Sequence, residues 1–313
     1  MLESAPLTET PDLKAPGKGG GYWFKGADGA QLRAALFKPK GLPRGTVVLG
    51  TGRTEPIEKY FEVIGDLLGR GFVVLAHEWR GQGLSHRELS DRLKGHAKGV
   101  QPYMEDFQAL LVAFEAQMPK PWIAMGHSMG GCLTLTALAK GQAHRFAGAI
   151  LCAPMLGLRA PPLASVLVGL QMLTGHSGDY ARPPVDPLKD KFEGNVVTSD
   201  PVRFARAGAL LEANPDLALG SPTWGWLDFA IKATRWLADA RNLVSVTLPV
   251  VIVSAERDQL VTDPAQRAIA AALPKGRFVS VAGAEHEILM ETDDKRAGFW
   301  AEFDLLAAQL APK

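Results

Sequence analysis

The sequence has few cysteines and no long apolar run. Its 313 residues include only Cys132 and Cys152, and neither lies in a spacing typical of metal ligands. This number excludes a disulfide scaffold, and we expect both to be buried thiols. No stretch reaches the roughly 20 apolar residues that cross a bilayer, and the N-terminus lacks the basic-then-apolar layout of a signal peptide. We therefore expect a soluble cytoplasmic protein.

An excess of charge of one sign is also missing. The chain has 34 lysines and arginines against 33 acidic residues, a formal net charge of +1. No basic surplus is available to neutralise a phosphate backbone, so nucleic-acid binding is not expected. Long-range attraction of a charged substrate is not implied either, and any recognition of charge must be local. Hydrophobic residues make up 47% of the chain, enough for a large buried core.

The chain alternates short apolar runs with amphipathic helical stretches after an initial segment rich in Pro, Gly and charge. We interpret that segment, residues 1–21, as a mobile arm, and Tyr22–Lys25 with Gln31–Pro39 as a hairpin. The later runs are apolar on successive residues, which indicates strands covered on both faces. They are Val47–Leu49, Phe72–Ala76, Trp122–Met125, Ala149–Cys152, Val250–Val253 and Phe278–Val281. The alternation predicts an α/β fold with a mostly parallel, doubly covered sheet.

One region interrupts this alternation. Residues 158–246 are Pro-rich, contain tryptophans and read as largely helical, and they lie between two predicted core strands. A helical insertion at the carboxyl edge of a parallel sheet would cover the place where ligands bind in such folds. We predict a helical cap, or lid, over 158–246, and a core formed by 22–157 and 247–313.

The strongest chemical signal is the pentapeptide Gly126–Gly130, which has the form G-x-S-x-G around Ser128. An apolar run precedes it and the helical stretch Cys132–Ala139 follows it. This strand, turn and helix order is the setting of a nucleophile elbow, in which glycines allow a sharp turn and expose the serine. We predict that Ser128 is a catalytic nucleophile.

A serine hydroxyl needs a base, and the base needs an orienting carboxylate. Of the seven histidines, His286 is best placed, because it follows the last predicted strand. The carboxylate should follow the strand Val250–Val253, where Asp258 is our choice and Asp263 and Glu256 are the alternatives. The resulting order of Ser, Asp and His along the chain is the one used by α/β-hydrolases.

The oxyanion formed during acyl transfer needs backbone N–H donors. One should be Met129, directly after the nucleophile. The second should come from the loop Gly50–Thr54 after an early strand, where we expect the N–H of Arg53 to serve. An ordinary Gly-rich connection is the alternative interpretation of this loop.

These stretches resemble the lysophospholipase and monoacylglycerol-lipase group of α/β-hydrolases, and bacterial lysophospholipases in particular. The resemblance extends from about Gly45 to the C-terminus. It depends on the oxyanion loop, where many members have His-Gly instead of Thr51-Gly52, and on an Asp-x-Arg-Gly-x-Gly-x-Ser loop that begins here with Glu78. It also depends on the elbow, the histidine loop and a cap motif, which are Gly126–Gly130, Ala284–Glu291 and Gly220–Trp226.

The resemblance implies an α/β-hydrolase fold and a serine carboxylester hydrolase that acts on a lysophospholipid or a monoacylglycerol through an acyl-enzyme, without a metal or organic cofactor. We expect four residues to contact the substrate, namely Thr51, His127, Trp224 and Trp226. The Arg53 side chain has two interpretations, contact with a substrate phosphate or extension into solvent. The apolar stretch Leu163–Leu173 has three: an acyl-chain wall, a weak peripheral contact with a membrane surface, or packing on the core.

Three other functions remain open at this point. A small-substrate esterase or thioesterase could use the same triad. A capped serine peptidase that releases amino-terminal residues would need an acidic anchor for the substrate amine, for which the cap offers Asp186, Asp190, Glu193 and Asp228. A binding module without activity is the last alternative, since fold alone does not fix function.

Overall fold

Nine strands form a single sheet in the computed structural model, which describes residues 2–159 and 163–312. Their order across the sheet is β1-β2-β3-β5-β4-β6-β7-β8-β9. The first three strands are antiparallel to their neighbours, whereas β4 to β9 run parallel. The strands are β1 (Glu3–Ala5), β2 (Lys18–Lys25), β3 (Gln31–Lys38), β4 (Gly45–Gly50), β5 (Phe72–His77), β6 (Trp122–His127), β7 (Gly148–Cys152), β8 (Val250–Ala255) and β9 (Gly276–Val281).

Helices cover both faces of this sheet. The core helices are α1 (Phe61–Gly69), α2 (Gln101–Phe114), α3 (Met129–Ala139), α7 (Asp263–Ala272) and α8 (Asp293–Leu310). In β4, Val48 belongs to the apolar cluster that includes α2 and α3, while Val47 and Leu49 belong to the cluster that includes α1 and α8. Successive side chains of a strand point to opposite faces, so a strand buried on both faces is apolar at every position. The predicted mostly parallel, doubly covered sheet is confirmed.

The N-terminal segment differs from the prediction of a mobile arm over residues 1–21. Glu3–Ala5 pairs with β2, and β2 itself begins at Lys18 rather than at Tyr22. The glycines permit the pairing on both sides of β2, because a Cβ atom at Gly21 would lie 2.7 Å from the carbonyl oxygen of Ala5 in β1, and one at Gly19 would lie 2.2 Å from that of Leu36 in β3. A Gly-rich stretch that suggests flexibility in the sequence therefore serves close backbone approach in the sheet.

The segment predicted as a cap connects β7 to β8 and is helical. It contains α4 (Ala164–Leu173), α5 (Pro201–Ala213) and α6 (Trp224–Ala238), and its described part, which omits 160–162, contains no strand. Ion pairs of Arg203 with Glu62 at 2.6 Å join α5 to the core helix α1. Within the described residues, no helix combines the length and apolar character needed to cross a membrane.

Candidate active site

Ser128 lies at a sharp turn between β6 and α3. Its φ of 51° and ψ of −118° place a non-glycine residue in a strained conformation, as expected for a nucleophile elbow. The positions on either side of Ser128 in the pentapeptide, Gly126 and Gly130, have no space for a side chain. A Cβ atom at Gly126 would lie 2.8 Å from the backbone of Gly130, and one at Gly130 would lie 2.3 Å from the carbonyl oxygen of Thr51. The pentapeptide thus brings the serine loop directly against the loop after β4.

The structure brings Ser128, His286 and Asp258 together in a hydrogen-bonded chain. His286 Nε2 lies 2.9 Å from Ser128 Oγ, and His286 Nδ1 lies 2.6 Å from Asp258 Oδ2. A carboxylate can only accept, so Nδ1 carries the proton and Nε2 is free to accept from the serine hydroxyl. Both the histidine and the aspartate are buried. The geometry is that of a nucleophile, a base and an orienting acid.

Backbone donors hold the Asp258 carboxylate in place. Its Oδ1 accepts from the N–H groups of Leu260 at 2.8 Å and Val261 at 2.9 Å. Burial alone would raise the pKa of Asp258, but the hydrogen bonds from His286 and from these two N–H groups keep the pKa below its ordinary value. Asp258 is therefore ionised at neutral pH and able to stabilise an imidazolium.

The alternative carboxylates are occupied elsewhere. Asp263 accepts from Arg267 at 2.7 Å at the start of α7, and Glu256 accepts from the N–H of Gly283 at 2.7 Å. Neither contacts His286 in the described structure. Of the three candidates in the sequence, the structure thus brings Asp258 to the histidine.

In the loop after β4, the backbone N–H of Arg53 is unused among the described residues. On either side of Arg53, the N–H of Gly52 donates to Glu55 Oε2 at 2.6 Å and that of Thr54 donates to Gln82 Oε1 at 2.8 Å. The N–H of Arg53 donates to no group within the described residues. The neighbouring hydrogen bonds thus fix the loop while leaving this donor available for a ligand.

Met129 supplies a second unused donor. It begins α3, where the first N–H groups of a helix have no partner inside the helix, and its own N–H donates to no described group. Met129 and Arg53 line the same cavity as Ser128 and His286. The oxyanion hole expected at these two N–H groups stays a prediction.

His127 lies beneath the site and contacts two loops at once. Its Nδ1 lies 2.9 Å from Glu55 Oε2, and its Nε2 lies 3.2 Å from the backbone carbonyl oxygen of His286. Both of these oxygens only accept, so the protonated ring, which donates from both nitrogens, satisfies both contacts. Burial alone would lower the pKa of His127, but the Glu55 carboxylate outweighs burial and raises the pKa above its ordinary value.

Glu55 is a site residue to which the sequence analysis gave no role. Besides Gly52 and His127, it accepts from the hydroxyl of Tyr60 at 2.6 Å and contacts Lys59 at 3.3 Å. The nearest sequence signal was its position in the loop that resembles the oxyanion loop of lipases. The spacing along the chain gives no hint of its contact with a histidine 72 residues away.

A cavity of about 640 Å³ opens onto Ser128 and His286. His127, Trp224 and Trp226 lie on its wall, and their contact with a substrate stays a prediction. The hydroxyl of Thr223 caps the start of α6 by accepting from the N–H of Trp226 at 3.3 Å, which fixes both tryptophans at the cavity. Much of the remaining wall is apolar and comes from the cap, namely Leu158, Leu163, Leu167, Val168, Leu227 and Ile231.

Thr51 corrects one expectation. Its side chain is fully buried and is not among the residues that line the cavity, although it was predicted to contact the substrate. The reason is the close packing of the two loops, since its carbonyl oxygen lies against Gly130. Thr51 contributes to the position of the oxyanion loop instead.

Comparison with known proteins identifies the family of this chain. Residues 41–293 match the family model described as serine aminopeptidase, S33. Lysophospholipase L2 of Escherichia coli K12 is 31% identical over 88% of this chain and 83% of its own length, and a probable lysophospholipase L2 of Haemophilus influenzae is 26% identical over 83% of each. A soluble variant of monoglyceride lipase from Saccharomyces cerevisiae shares the fold, with a TM-score of 0.73 and 18% identity over 98% of this chain and 99% of that chain. The predicted resemblance is confirmed, and the chain belongs to the serine aminopeptidase S33 family of α/β-hydrolases.

Proposed function

We propose that this protein is a serine carboxylester hydrolase that cleaves single-chain lipids, either lysophospholipids or monoacylglycerols, through an acyl-enzyme. The observation that carries the proposal is the cavity at Ser128, whose apolar wall extends from the triad into the cap. A cavity of about 640 Å³ lies within the range that encloses ligands of drug size, and apolar side chains favour an acyl chain. The 31% identity with a lysophospholipase supports the same assignment.

The mechanism follows from the hydrogen bonds of the site. Ser128 attacks the ester carbonyl while His286 Nε2 accepts its proton, and Asp258 holds the ring orientation and stabilises the imidazolium. The N–H groups of Arg53 and Met129 bind the oxyanion, each contributing about 3 kcal/mol to the transition state. His286 then protonates the leaving alcohol. Water enters, loses its proton to His286, and releases the fatty acid from Ser128.

The cavity disfavours the peptidase alternative suggested by the family description. An enzyme that releases amino-terminal residues needs an unpaired carboxylate for the substrate ammonium. The acidic residues on the cavity wall are Glu55 and Glu287, and both contact Lys59, at 3.3 Å and 2.6 Å. None of the cap carboxylates considered for this role, Asp186, Asp190, Glu193 or Asp228, lines the cavity.

The cap also supports weak contact with a membrane surface, through helix α4. Val168 is its one buried residue, whereas Val166, Leu170 and Leu173 are 67%, 56% and 88% exposed. Because α4 also lines the cavity, a lipid leaving a bilayer here would reach Ser128 without crossing open water. We expect co-sedimentation with neutral vesicles that resists salt and is lost in Val166→Glu/Leu173→Glu. Equal sedimentation of both proteins would refute this contact.

The test of the activity is hydrolysis of p-nitrophenyl esters from acetate to palmitate, followed by lysophosphatidylcholine and monoacylglycerol. We expect kcat/KM to rise with chain length, because each additional CH₂ buries apolar surface in the cavity. Ser128→Ala should lower kcat by about 10⁶-fold with the far-ultraviolet circular dichroism unchanged. Activity confined to short esters would support a small-substrate esterase instead, and activity that survives in Ser128→Ala would refute the assignment of the nucleophile.

A further inference from the structure

The cavity contains more positive charge than its own carboxylates neutralise. Three arginines lie on its wall, Arg53, Arg159 and Arg182. Across residues 2–159 and 163–312, none of the three forms an ion pair with an acidic side chain. The chain as a whole has a formal charge of only +1, so this concentration of cations is local.

The two acidic residues on the wall do not neutralise the charge of these arginines, because both contact a lysine instead. Lys59 lies 2.6 Å from Glu287 and 3.3 Å from Glu55. Burial alone would lower the pKa of Lys59, but the two carboxylates outweigh burial and raise the pKa above its ordinary value. Lys59 and His127 thus contact the two glutamates, and the arginines are the cations of the cavity wall that have no acidic partner among the described residues.

Arg53 is the most constrained of the three. One of its Nη atoms donates to the backbone carbonyl of Gly220, and the guanidinium carbon lies 5.2 Å above the ring of Trp226. Its Nε is buried and has no hydrogen-bond partner among the described residues, and the same is true of the indole Nε1 of Trp226. Burial lowers the pKa of Arg53 to about 10. A buried cationic donor without a hydrogen-bond partner lowers the stability of the fold. A ligand that accepts this hydrogen bond removes that cost.

We infer that the Arg53 side chain, assisted by Arg182, binds the phosphate of a lysophospholipid headgroup while the acyl chain occupies the apolar part of the cavity. The inference rests on the proposed ester hydrolysis and specifies its substrate. A guanidinium matches a phosphate through paired N–H donors, and phosphate oxygens would satisfy the unpaired Nε. The headgroup of a monoacylglycerol is neutral and would leave the charge of Arg53 unpaired. Arg53 thereby has two roles, its N–H toward the oxyanion and its side chain toward the headgroup.

The experiment compares two substrates with the same acyl chain, lauroyl lysophosphatidylglycerol and monolauroylglycerol, below their critical micelle concentrations. The variants are Arg53→Met, which keeps the backbone N–H and an unbranched side chain but removes the guanidinium, and Arg182→Met, which changes an exposed residue and spares the oxyanion loop. The matched control is Arg235→Met, an exposed arginine of α6 away from the cavity wall. The quantity measured is the ratio of kcat/KM for the phosphate-containing substrate to that for the neutral one.

We expect this ratio to fall by about 10- to 100-fold in Arg53→Met, as for a lost charge-assisted hydrogen bond, and by a smaller factor in Arg182→Met. It should stay within about twofold of the wild-type ratio in Arg235→Met. An equal fall for both substrates in Arg53→Met, with an unchanged ratio in Arg182→Met, would overturn the inference, because the loss would then lie in the oxyanion loop. If the unmodified protein hydrolyses neither substrate nor p-nitrophenyl laurate, the proposed ester hydrolysis itself fails.

Phosphate could also come from a free anion rather than from a headgroup. Inhibition of monolauroylglycerol hydrolysis by inorganic phosphate and by glycerophosphoglycerol distinguishes the two sources. We expect glycerophosphoglycerol to compete more strongly in the unmodified protein, and its advantage to disappear in Arg53→Met. Competition by inorganic phosphate alone, with the substrate ratio unchanged by Arg53→Met, would indicate a free-anion site and overturn the headgroup assignment.

Discussion

His127 donates a hydrogen bond from Nε2 to the backbone carbonyl of His286 at 3.2 Å, so the residue beside Ser128 holds the loop that carries His286. The opposite ring nitrogen donates to Glu55, which in turn accepts from the N–H of Gly52 in the oxyanion loop. The His127 ring thus connects the loop that carries His286 to the loop that carries Arg53. Both loops belong to segments far apart in the chain, and this connection fixes their spacing around Ser128.

The first prediction concerns this connection. His127→Gln should lower kcat for p-nitrophenyl butyrate by about 10- to 100-fold with a much smaller change in KM, because misplaced catalytic groups reduce reaction more than binding. The measurement is steady-state kinetics. The exposed His144 supplies the control, His144→Gln, for which kcat should be unchanged. A rise in KM with kcat intact would show that His127 serves substrate binding alone.

The pair of His127 and Glu55 also predicts how stability depends on pH. The folded-state pKa of His127 lies above its ordinary value, so its protonation stabilises the fold fully below a pH of about 6.5. That contribution is lost as the pH rises through the folded-state pKa. The free energy of unfolding should therefore fall more steeply above a pH of about 6.5 in the unmodified protein than in His127→Gln.

Urea denaturation at a series of pH values measures this difference. Removing His127 also changes the pKa of Glu55, which His127 lowers, so subtracting the two curves isolates the pair of His127 and Glu55. His144→Gln should reproduce the slope of the unmodified protein. Parallel curves for the unmodified protein and His127→Gln would contradict a raised pKa for His127.

A further prediction separates the carboxylates near the base. Asp258→Asn should lower kcat by about 10⁴-fold, because an amide no longer fixes the histidine tautomer or stabilises its charged form. The matched variant is Asp263→Asn, which removes an alternative carboxylate that pairs with Arg267 instead. We expect it to change kcat by less than about threefold. Stopped-flow and steady-state rates with p-nitrophenyl butyrate decide whether Asp258 or Asp263 orients His286. A larger effect from Asp263→Asn would assign that role to Asp263.

The strands, and the contacts among Ser128, Asp258 and His286, were predictable because their signals are local. Apolar runs such as Val47–Leu49 indicate a strand covered on both faces, and Gly126–Gly130 contains in five residues both the nucleophile and the glycines that its turn requires. The order of Ser, Asp and His then limits the base and the acid to the ends of two later strands. These predictions need no knowledge of which strands are neighbours.

The features that were missed depend on contacts between distant parts of the chain. The glycine run Gly19–Gly21 reads as flexible until strand β1 is known to pair beside it. Glu55 gains its role only from His127, which is 72 residues away, and Thr51 was assigned to the substrate although Gly130 packs against its backbone. In each case the structure shows a residue that is paired or buried where the sequence offers no sign of it. A single sequence does not show what packs against a residue.

The last prediction tests the contact between the two loops at Gly130. A Cβ atom there would lie 2.3 Å from the carbonyl oxygen of Thr51 and 2.5 Å from that of Gly50. Both are backbone atoms that cannot rotate away, so Gly130→Ala must displace the oxyanion loop. We expect kcat to fall by about 100-fold or more and the protein to lose about 1–3 kcal/mol of stability, as for an overpacked interior.

Gly208→Ala is the control, because Gly208 lies inside helix α5 with no atom within 4 Å of an added Cβ. Alanine there removes the entropic cost of a helical glycine, so the free energy of unfolding should rise by about 0.5–1 kcal/mol with kcat unchanged. The two substitutions add the same methyl group and differ only in what it meets. If Gly130→Ala retains full activity, the serine loop and the oxyanion loop move independently. The donor at Arg53 would then have to be positioned by Glu55 and Gln82 alone.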